Sequence, residues 1–349
     1  MDSQRRPRLT PAIADLRRSV RGALAGVGGR GSGTTDAAPL VLVALSGGPD
    51  SLALAAATAF EAHRAGIRAG AVIIDHGLQS GSADVAAAAA AQATSLGLDP
   101  VLVRKVNVGS DGGPEAAARA ARYEALSSAA AEYAADTVLL GHTLDDQAET
   151  VLLGLARGSG GLSLAGMAQR TGIFVRPLLG IRRAMTVQAC ADAGLTPWND
   201  PHNDDAAFTR VRVRNRVMPV LESELGPGVA EALARTAIQL REDSEALDHF
   251  AEEIVEELVE IAEAGFSLPV SALLSNPAAL RQRLIRVAVD SEFHVSLSRT
   301  HTLEVAKLVT DWHGQGPVHL PGVIVVRRDG LLCFQASGVD SPQADQANG

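Results

Sequence analysis

Four short, apolar, largely β-branched runs constrain this chain most: Leu40–Leu45, Ala71–Ile74, Val101–Val106 and Thr137–Leu140. They recur at roughly 30-residue intervals, and Ala-rich segments of helical length, 51–65, 83–96 and 114–134, fill the gaps. Strands that read as unbroken apolar runs are buried on both faces. Strands alternating with helical segments pair in parallel through crossover helices. The predicted fold class is therefore α/β: a Rossmann-like parallel sheet with helices on both faces. In such sheets, ligands bind outside the carboxyl ends of the strands. The residues just after each apolar run are thus the ones to read for chemistry.

Flanking segments are simpler. Thr10 as N-cap and Pro11 at the first helical position predict a helix over Ala12–Leu24, and the Gly/Ser/Thr-rich stretch Gly28–Ala38 reads as a linker. Beyond residue 220 the chain becomes helical. Residues 229–264 carry acids (Glu252, Glu253, Glu256, Glu257, Glu260) that read as a solvated face. A second helical stretch spans 277–312. The runs Val318–Leu320, Val323–Arg327 and Leu331–Phe334 predict a small terminal hairpin, and Ala336–Gly349 reads as a tail. The expected domains are a helix and linker (1–38), a catalytic domain (39–220), a smaller helical domain (221–335) and the tail (336–349).

Composition narrows the function. With 349 residues the chain is long enough for two domains. No apolar stretch approaches the roughly 18 residues of a membrane span, and the basic start (Arg5, Arg6, Arg8) lacks the apolar core of a signal peptide. Cys190 and Cys333 stand alone, without metal-ligand spacing, as expected of a reduced cytoplasmic protein without a zinc finger. A net charge of −9 argues against a uniformly basic nucleic-acid coat but leaves room for a local patch. Lys105 and Lys307 are the only lysines, so 29 of the 31 basic residues are Arg. A phosphate site must use Arg, backbone N–H groups or Lys105.

The most informative motif is Ser46-Gly47-Gly48-Pro49-Asp50-Ser51, directly after the first strand and before a helix. Its glycines let backbone approach a ligand, and its hydroxyls and the helix N-terminus offer donors to an anion. Asp50 would repel bare phosphate and makes sense as a ligand for bridging Mg²⁺. A capped glycine-rich turn is the plainer alternative. No Gly-Lys-Ser/Thr follows, so this is not a Walker A loop. Gly26-x-Gly28-x-x-Gly31 has dinucleotide-fingerprint spacing but precedes the first strand, which rules it out. Asp75-His76-Gly77-Leu78 closes the second strand and would face the same crevice, unless it is only a polar turn.

Gly141-His142-Thr143-Leu144-Asp145-Asp146-Gln147-Ala148-Glu149-Thr150 closes the fourth strand. His142 can donate to charge developing on a phosphoryl or base oxygen. Asp146 can hold Mg²⁺, and Asp145 and Glu149 can cap the helix or support the site; capping alone does not explain so many polar groups. Arg119 and Arg122 share a helix face and could clamp phosphate or simply be solvated. The stretch Arg210–Arg216, with four arginines, is a candidate contact to a nucleic-acid backbone or an amphipathic helix face.

Ser-Gly-Gly-x-Asp-Ser after a first strand resembles the phosphate loop of the N-type ATP-pyrophosphatases (PP-loop enzymes). The order Asp-His-Gly-Leu, Ala-Arg-x-x-Arg-Tyr, Gly-His-Thr-x-Asp-Asp-Gln-Ala-Glu-Thr is similar to one branch, the tRNA(Ile)-lysidine synthase family. Arg157-Gly158 with Gly160-Gly161, Arg176-Pro177-Leu178-Leu179, Asp200-Pro201-x-Asn203 and Phe208-x-Arg210 through Arg214 to Pro219 agree. The likeness is dense over 40–220 and looser over 230–335.

The resemblance implies ATP-dependent ligation of free L-lysine to C2 of the wobble cytidine of CAU-anticodon tRNA(Ile), through an adenylated cytidine, with release of AMP and pyrophosphate. It implies ATP and Mg²⁺ as cofactors, action in the cytoplasm and no membrane partner. By position, Ser46, Gly47, Gly48, Pro49, Asp50, Ser51, Asp75, His76 and Gly141 would border the nucleotide. Asp50 and Asp146 would hold the metal. Asp50, Arg122, His142, Asp146 and Arg214 would serve the reaction. Gln79 and Val211 replace residues frequent in the family (Arg and Asn), which leaves open which of Arg210, Arg212 and Arg214 acts. Oligomeric state is open too, a homodimer included.

Three other readings compete. A tRNA thiolase acting through cysteines would need paired active-site cysteines, a small-molecule amide-forming synthetase would leave the Arg210–Arg216 stretch without a role, and a non-enzymatic nucleotide-binding module would not need Mg²⁺-ready acids beside phosphate donors.

Overall fold

The computed structural model describes residues 9–27, 38–77, 81–106, 109, 113–158, 161–262 and 265–337. The linker 28–37, Leu78, Gln79, Gly160, the basic start and the tail beyond Ser337 lie outside the described residues. The chain divides into two compact units, residues 1–241 and 242–349.

In the first unit the strands β1 (Leu40–Ala44), β2 (Arg68–Asp75), β3 (Val101–Lys105) and β4 (Thr137–Leu139) fall on the four apolar runs. Between them lie α2 (Pro49–Ala65), α3 (Ser82–Ser95) and α4 (Pro114–Glu132), after the N-terminal α1 (Pro11–Leu24). β1 pairs in parallel with β2 on one side and with β4 on the other. The sheet order is β3-β2-β1-β4-β6-β5, where β5 (Arg170–Thr171) and β6 (Phe174–Val175) form a short hairpin whose β5 runs antiparallel at the edge.

Alternation along the strands builds two cores. Val41 and Val43 pack with residues of α1, α2 and α3 on one face, and Leu40 and Leu42 pack with Leu126, Ala129 and Ala130 of α4 on the other. Both faces are covered, as continuous apolar strands require. The chain winds outward from β1 to β3 and then returns to β4, so the order reverses between β1 and β4. A crevice forms where crossover helices leave opposite sides of a sheet.

Helix α1 begins as expected, with the Thr10 hydroxyl accepting from the Ile13 amide at 3.4 Å and Pro11 in the first turn. Ile13, Leu16, Val20 and Leu24 are buried in the same core as α2 and the later helix α7 (Arg183–Asp192). Its exposed Arg21 donates twice to the buried Glu61 of α2, at 2.8 and 3.0 Å. Between β4 and β5 lie α5 (Leu144–Ala156) and the short α6 (Gly161–Leu164). After α7 come α8 (Thr209–Arg212), a π-helical turn (Val213–Val217) and α9 (Met218–Glu224).

Helix α10 (Val229–Leu258) starts in the first unit, where Ala230 and Ala234 pack on Leu144 and Ala148. It stops short of the expected 264. Glu260, read from sequence as a helical acid, begins the strand β7 (Glu260–Ala262), because residues 260–262 pair with β8 (Gly265–Pro269). The second unit adds α11 (Val270–Ser275), α12 (Ala278–Phe293) and α13 (Arg299–Thr310). The stretch 277–312 is therefore two helices. His294 takes a left-handed conformation (φ 54°) that ends α12, and Ser298 caps α13. The three expected terminal strands, β9 (Val318–Leu320), β10 (Val323–Arg328) and β11 (Leu331–Ala336), are joined by β7 and β8 into one antiparallel sheet, β7-β8-β11-β10-β9. Phe266 and Phe334 stack at 4.4 Å in its core.

Candidate active site

At the reversal point the Ser46–Ser51 loop leaves β1 and starts α2. Gly47 holds φ 87°, a left-handed conformation that favours glycine, and its carbonyl accepts from the Trp198 amide at 2.9 Å. The Ser51 hydroxyl lies 3.1 Å from the Ser46 amide, the Ser46 hydroxyl and the Gly48 carbonyl. It folds the loop on itself and leaves the Ser46 side exposed. Gly141, at the end of β4, is packed against this turn: a Cβ there would meet the backbone of Asp50 and Ser51 at 3.1 Å. The loops after β1 and β4 thus touch through glycine.

Thr143 caps α5. Asp146 completes a capping box, its Oδ2 accepting from the Thr143 amide at 2.8 Å and the Thr143 hydroxyl at 2.9 Å. Its Oδ1 is left for the crevice, where Arg183 Nη2 donates at 2.7 Å. The same guanidinium donates from Nε to Asp50 Oδ2 at 3.3 Å and from Nη1 to Glu149 Oε1 at 3.2 Å. One arginine therefore spans Asp50 at the start of α2 and Asp146 at the start of α5, two acids that sequence places almost a hundred residues apart.

Burial pushes the Asp50 carboxyl above its ordinary value despite the Thr186 hydroxyl bonded to its Oδ1 and the nearby Arg183. Burial opposes charge on Asp146 as well, but Arg183, the Thr143 bonds and His142 outweigh it and hold that carboxyl low. Arg183 is likewise desolvated, yet its acids keep it charged and raise its pKa.

The other wall carries two imidazoles and the Arg122 guanidinium. His142 is buried enough for its pKa to fall to about 4, against the pull of Asp146 and with Arg122 adding to the fall. Burial and then Arg122 lower His76 in the same way. The Nδ1 atoms of both rings and Arg122 Nε are buried and have no hydrogen-bond partner among the described residues. Asp75 is held low chiefly by hydrogen bonding to Ser82 and the Gly77 amide, the latter at 3.0 Å. These groups, the Ser46–Ser51 loop and the acids line one crevice of about 630 Å³, within the usual range for small-molecule sites.

The arginine stretch separates by direction. Arg214 donates to Glu149 Oε1 at 2.8 Å and to Asp146 Oδ1 at 3.3 Å. Arg210 reaches the Thr150 hydroxyl at 2.8 Å and lies 3.5 Å from Glu149. Arg212 turns back onto the carbonyls of Ala206 and Ala207. Arg214 sits in the π-helical turn, a distortion frequent at functional sites. Sequence reading missed Arg183, Thr186 and Trp198. A signal for Arg183 was present: Arg182 and Arg183 open a helix, where the macrodipole disfavours cations, so acids had to lie nearby. Arg182 finds Asp145 at 3.4 Å and Glu231 at 3.3 Å.

Asp50 and Asp146 suit magnesium, which takes hard oxygens and is commonly bound by one or two carboxylates completed by substrate phosphates and water. Both carboxylates line the crevice beside the Ser46–Ser51 loop, where substrate phosphates could complete such a shell. No group of three or more His, Cys, Asp or Glu residues is arranged as a metal cage among the described residues.

A glycine loop at the switch point of a parallel sheet, flanked by two convergent acids, is the arrangement of a PP-loop, nucleotide-using enzyme, and residues 32–221 match the family model described as the PP-loop domain. Residues 268–333 match the TilS substrate binding domain. The chain belongs to the tRNA(Ile)-lysidine synthase family, whose members are ligases. It is 67% identical to the tRNA(Ile)-lysidine synthase of Leifsonia xyli subsp. xyli, over 84% of this chain and 89% of that one. It is 50% identical to that of Thermobifida fusca, over 93% and 98%. Among solved structures, the U34-tRNA thiolase NcsA from Methanococcus maripaludis with its [4Fe-4S] cluster is similar in fold alone (TM-score 0.52, 20% identity, 66% of this chain and 80% of that one). A thiolase's cysteine pair has no counterpart in this crevice: Cys190 is buried beneath the loop, its thiol donating to the Pro49 carbonyl at 3.4 Å, and Cys333 lies in β11 of the second unit.

Proposed function

We propose that the crevice joins free L-lysine to C2 of the wobble cytidine of a CAU-anticodon tRNA(Ile), using ATP. The observation that carries this reading is the single guanidinium joining Asp50 to Asp146 beside the glycine loop, since it brings the two acids to one anion site. The reading keeps residues 39–220 as the catalytic domain and 221–335 as the helical domain, and has the protein act in the cytoplasm. No helix among the described residues is long and apolar enough to cross a membrane.

In the first step the cytosine C2 oxygen attacks the α-phosphorus of ATP, and the bond to pyrophosphate breaks. A carbonyl oxygen is a poor leaving group, and adenylation turns it into a good one. The Ser46–Ser51 loop, with Gly141 behind it and the N-terminus of α2 pointing at the site, cradles the phosphates, and Asp75 and His76 border the nucleotide. Asp50 and Asp146 would hold Mg²⁺, which when bound would supply positive charge to the phosphates.

In the second step the lysine ε-amine, in its neutral form, attacks C2, the C2–O bond breaks, and AMP leaves with the oxygen while the amine's proton passes to water. His142 and Arg122 face the cytidine with unspent hydrogen-bonding capacity, so a polarised C2 oxygen can satisfy atoms that are otherwise buried without a partner. Arg214 supplies positive charge beside Asp146 and Glu149.

Incubation with ATP, labelled lysine and a CAU-anticodon tRNA(Ile) transcript is the test: label enters RNA, with AMP and pyrophosphate in equal amounts. Labelled sulfur entering the RNA, or product formed without RNA, would replace this reading with the thiolase or the synthetase alternative. Light scattering on the purified protein tests the homodimer.

A further inference from the structure

Asp50 and Asp146 belong to different helices, and the element that ties them together is a third, the first turn of α7. Thr186 is fully buried (0% exposed). Its hydroxyl reaches Asp50 Oδ1 and lies 2.7 Å from the Arg183 carbonyl. Arg183, three residues earlier and so on the same helix face, gives each of its guanidinium nitrogens to a different carboxylate, those of Asp50, Asp146 and Glu149. Its main chain is pinned as well, the amide donating to Asp145 Oδ2 at 2.7 Å. A guanidinium is a rigid plane with donors in fixed directions, whereas an ammonium is a point charge on a flexible stem.

We infer that Arg183 and Thr186 are positioning residues for the divalent cation: Thr186 orients the Asp50 carboxylate, and the Arg183 fork sets its spacing from Asp146. The inference rests on the magnesium role proposed above. Partners that orient metal-binding carboxylates typically contribute 10–100-fold to metal affinity. Neither residue lies in the motifs that announce the site, and both act through other side chains.

The test is Mn²⁺ binding, followed by electron paramagnetic resonance, to the full-length protein with α,β-methylene-ATP. Thr186→Val keeps the shape and removes the hydroxyl, so Mn²⁺ affinity falls about tenfold or more. Thr186→Ser restores it, which a role in packing alone would not predict. Arg183→Lys keeps the charge and loses the fork, and it weakens binding on the same scale, while tRNA binding measured on filters stays unchanged. Thermal melting reports folding, and Arg183→Lys carries the test if Thr186→Val does not fold. Folded variants that bind Mn²⁺ as tightly as wild type overturn the inference. A wild-type protein that binds Mn²⁺ with the analogue but joins no lysine to tRNA overturns the proposed reaction and leaves this inference standing. Wild type that binds no Mn²⁺ overturns both.

Discussion

Replacing Gly141 by Ala tests whether the two loops of the site are set against each other through backbone. The added Cβ would lie 3.1 Å from Asp50 C, Ser51 Cα and Ser51 N, where ordinary contact begins at 3.4 Å. All three atoms are main chain in the first turn of α2, so no side chain can swing aside. β4 and α2 must separate by about 0.3 Å or more, and overpacking of this kind costs about 1–3 kcal/mol. For a unit of this size each kcal/mol lowers the melting temperature by about 2–4 °C. Misplacing catalytic groups by 1 Å can cost about 10²-fold in rate, so a shift of a few tenths of an ångström translates into roughly a four- to tenfold loss. Calorimetry and pyrophosphate release, measured with tRNA present, read both quantities. Gly22→Ala is the control: an added Cβ there meets nothing within 4 Å on the exposed side of α1, and Ala favours the helix, so neither melting temperature nor turnover falls. A Gly141→Ala protein that melts and turns over like wild type would refute the packing argument.

Asp50→Asn and Asp146→Asn should each abolish AMP and pyrophosphate formation while the protein keeps its circular dichroism spectrum; turnover in either variant removes that residue from the metal role. His142 is buried neutral, with a folded pKa of about 4 below the usual 6.5. Its contribution is therefore fully present above pH 6.5 and is lost as pH falls toward 4, because the unfolded chain takes the proton first. His142→Gln should flatten the stability–pH curve in that window, and an unchanged curve in urea titrations would show that other groups set it. Burial pushes the Cys190 thiol up to about 11, so native protein at pH 8 should resist alkylation there while urea-unfolded protein reacts; rapid native labelling, mapped by mass spectrometry, contradicts that burial.

The parallel sheet was legible because the central strands β1 and β4 and the middle of β2 are continuous apolar runs buried on both faces, whereas the edge strand β3 carries Arg104 and Lys105 and is only partly buried. The Ser46–Ser51 loop and the acids after β4 were legible because chemistry and chain position coincide: they lie within a few residues of a strand's carboxyl end. Arg183 and Thr186 lacked that advantage. They belong to a helix that follows no long strand, and only folding carries them to the acids. The β5–β6 hairpin has strands of two residues, too short for any alternation to register. Past Leu258 the acidic pattern continues into Glu260, so sequence extends the helix, while pairing with β8 decides otherwise. Among Arg210, Arg212 and Arg214, a π-helical turn shifts the angular spacing, so helical periodicity alone cannot say which side chain faces Glu149.

Helix α1 lies ahead of the region that matches the PP-loop model, which starts at residue 32. A chain shortened to that start would bare the wall on which Ile13, Leu16, Val20 and Leu24 rest and would strip Glu61 of its arginine. An oily stripe beside an uncompensated charge is a surface that clumps. Anyone trimming this enzyme to its catalytic half should therefore begin before Thr10, or expect inclusion bodies.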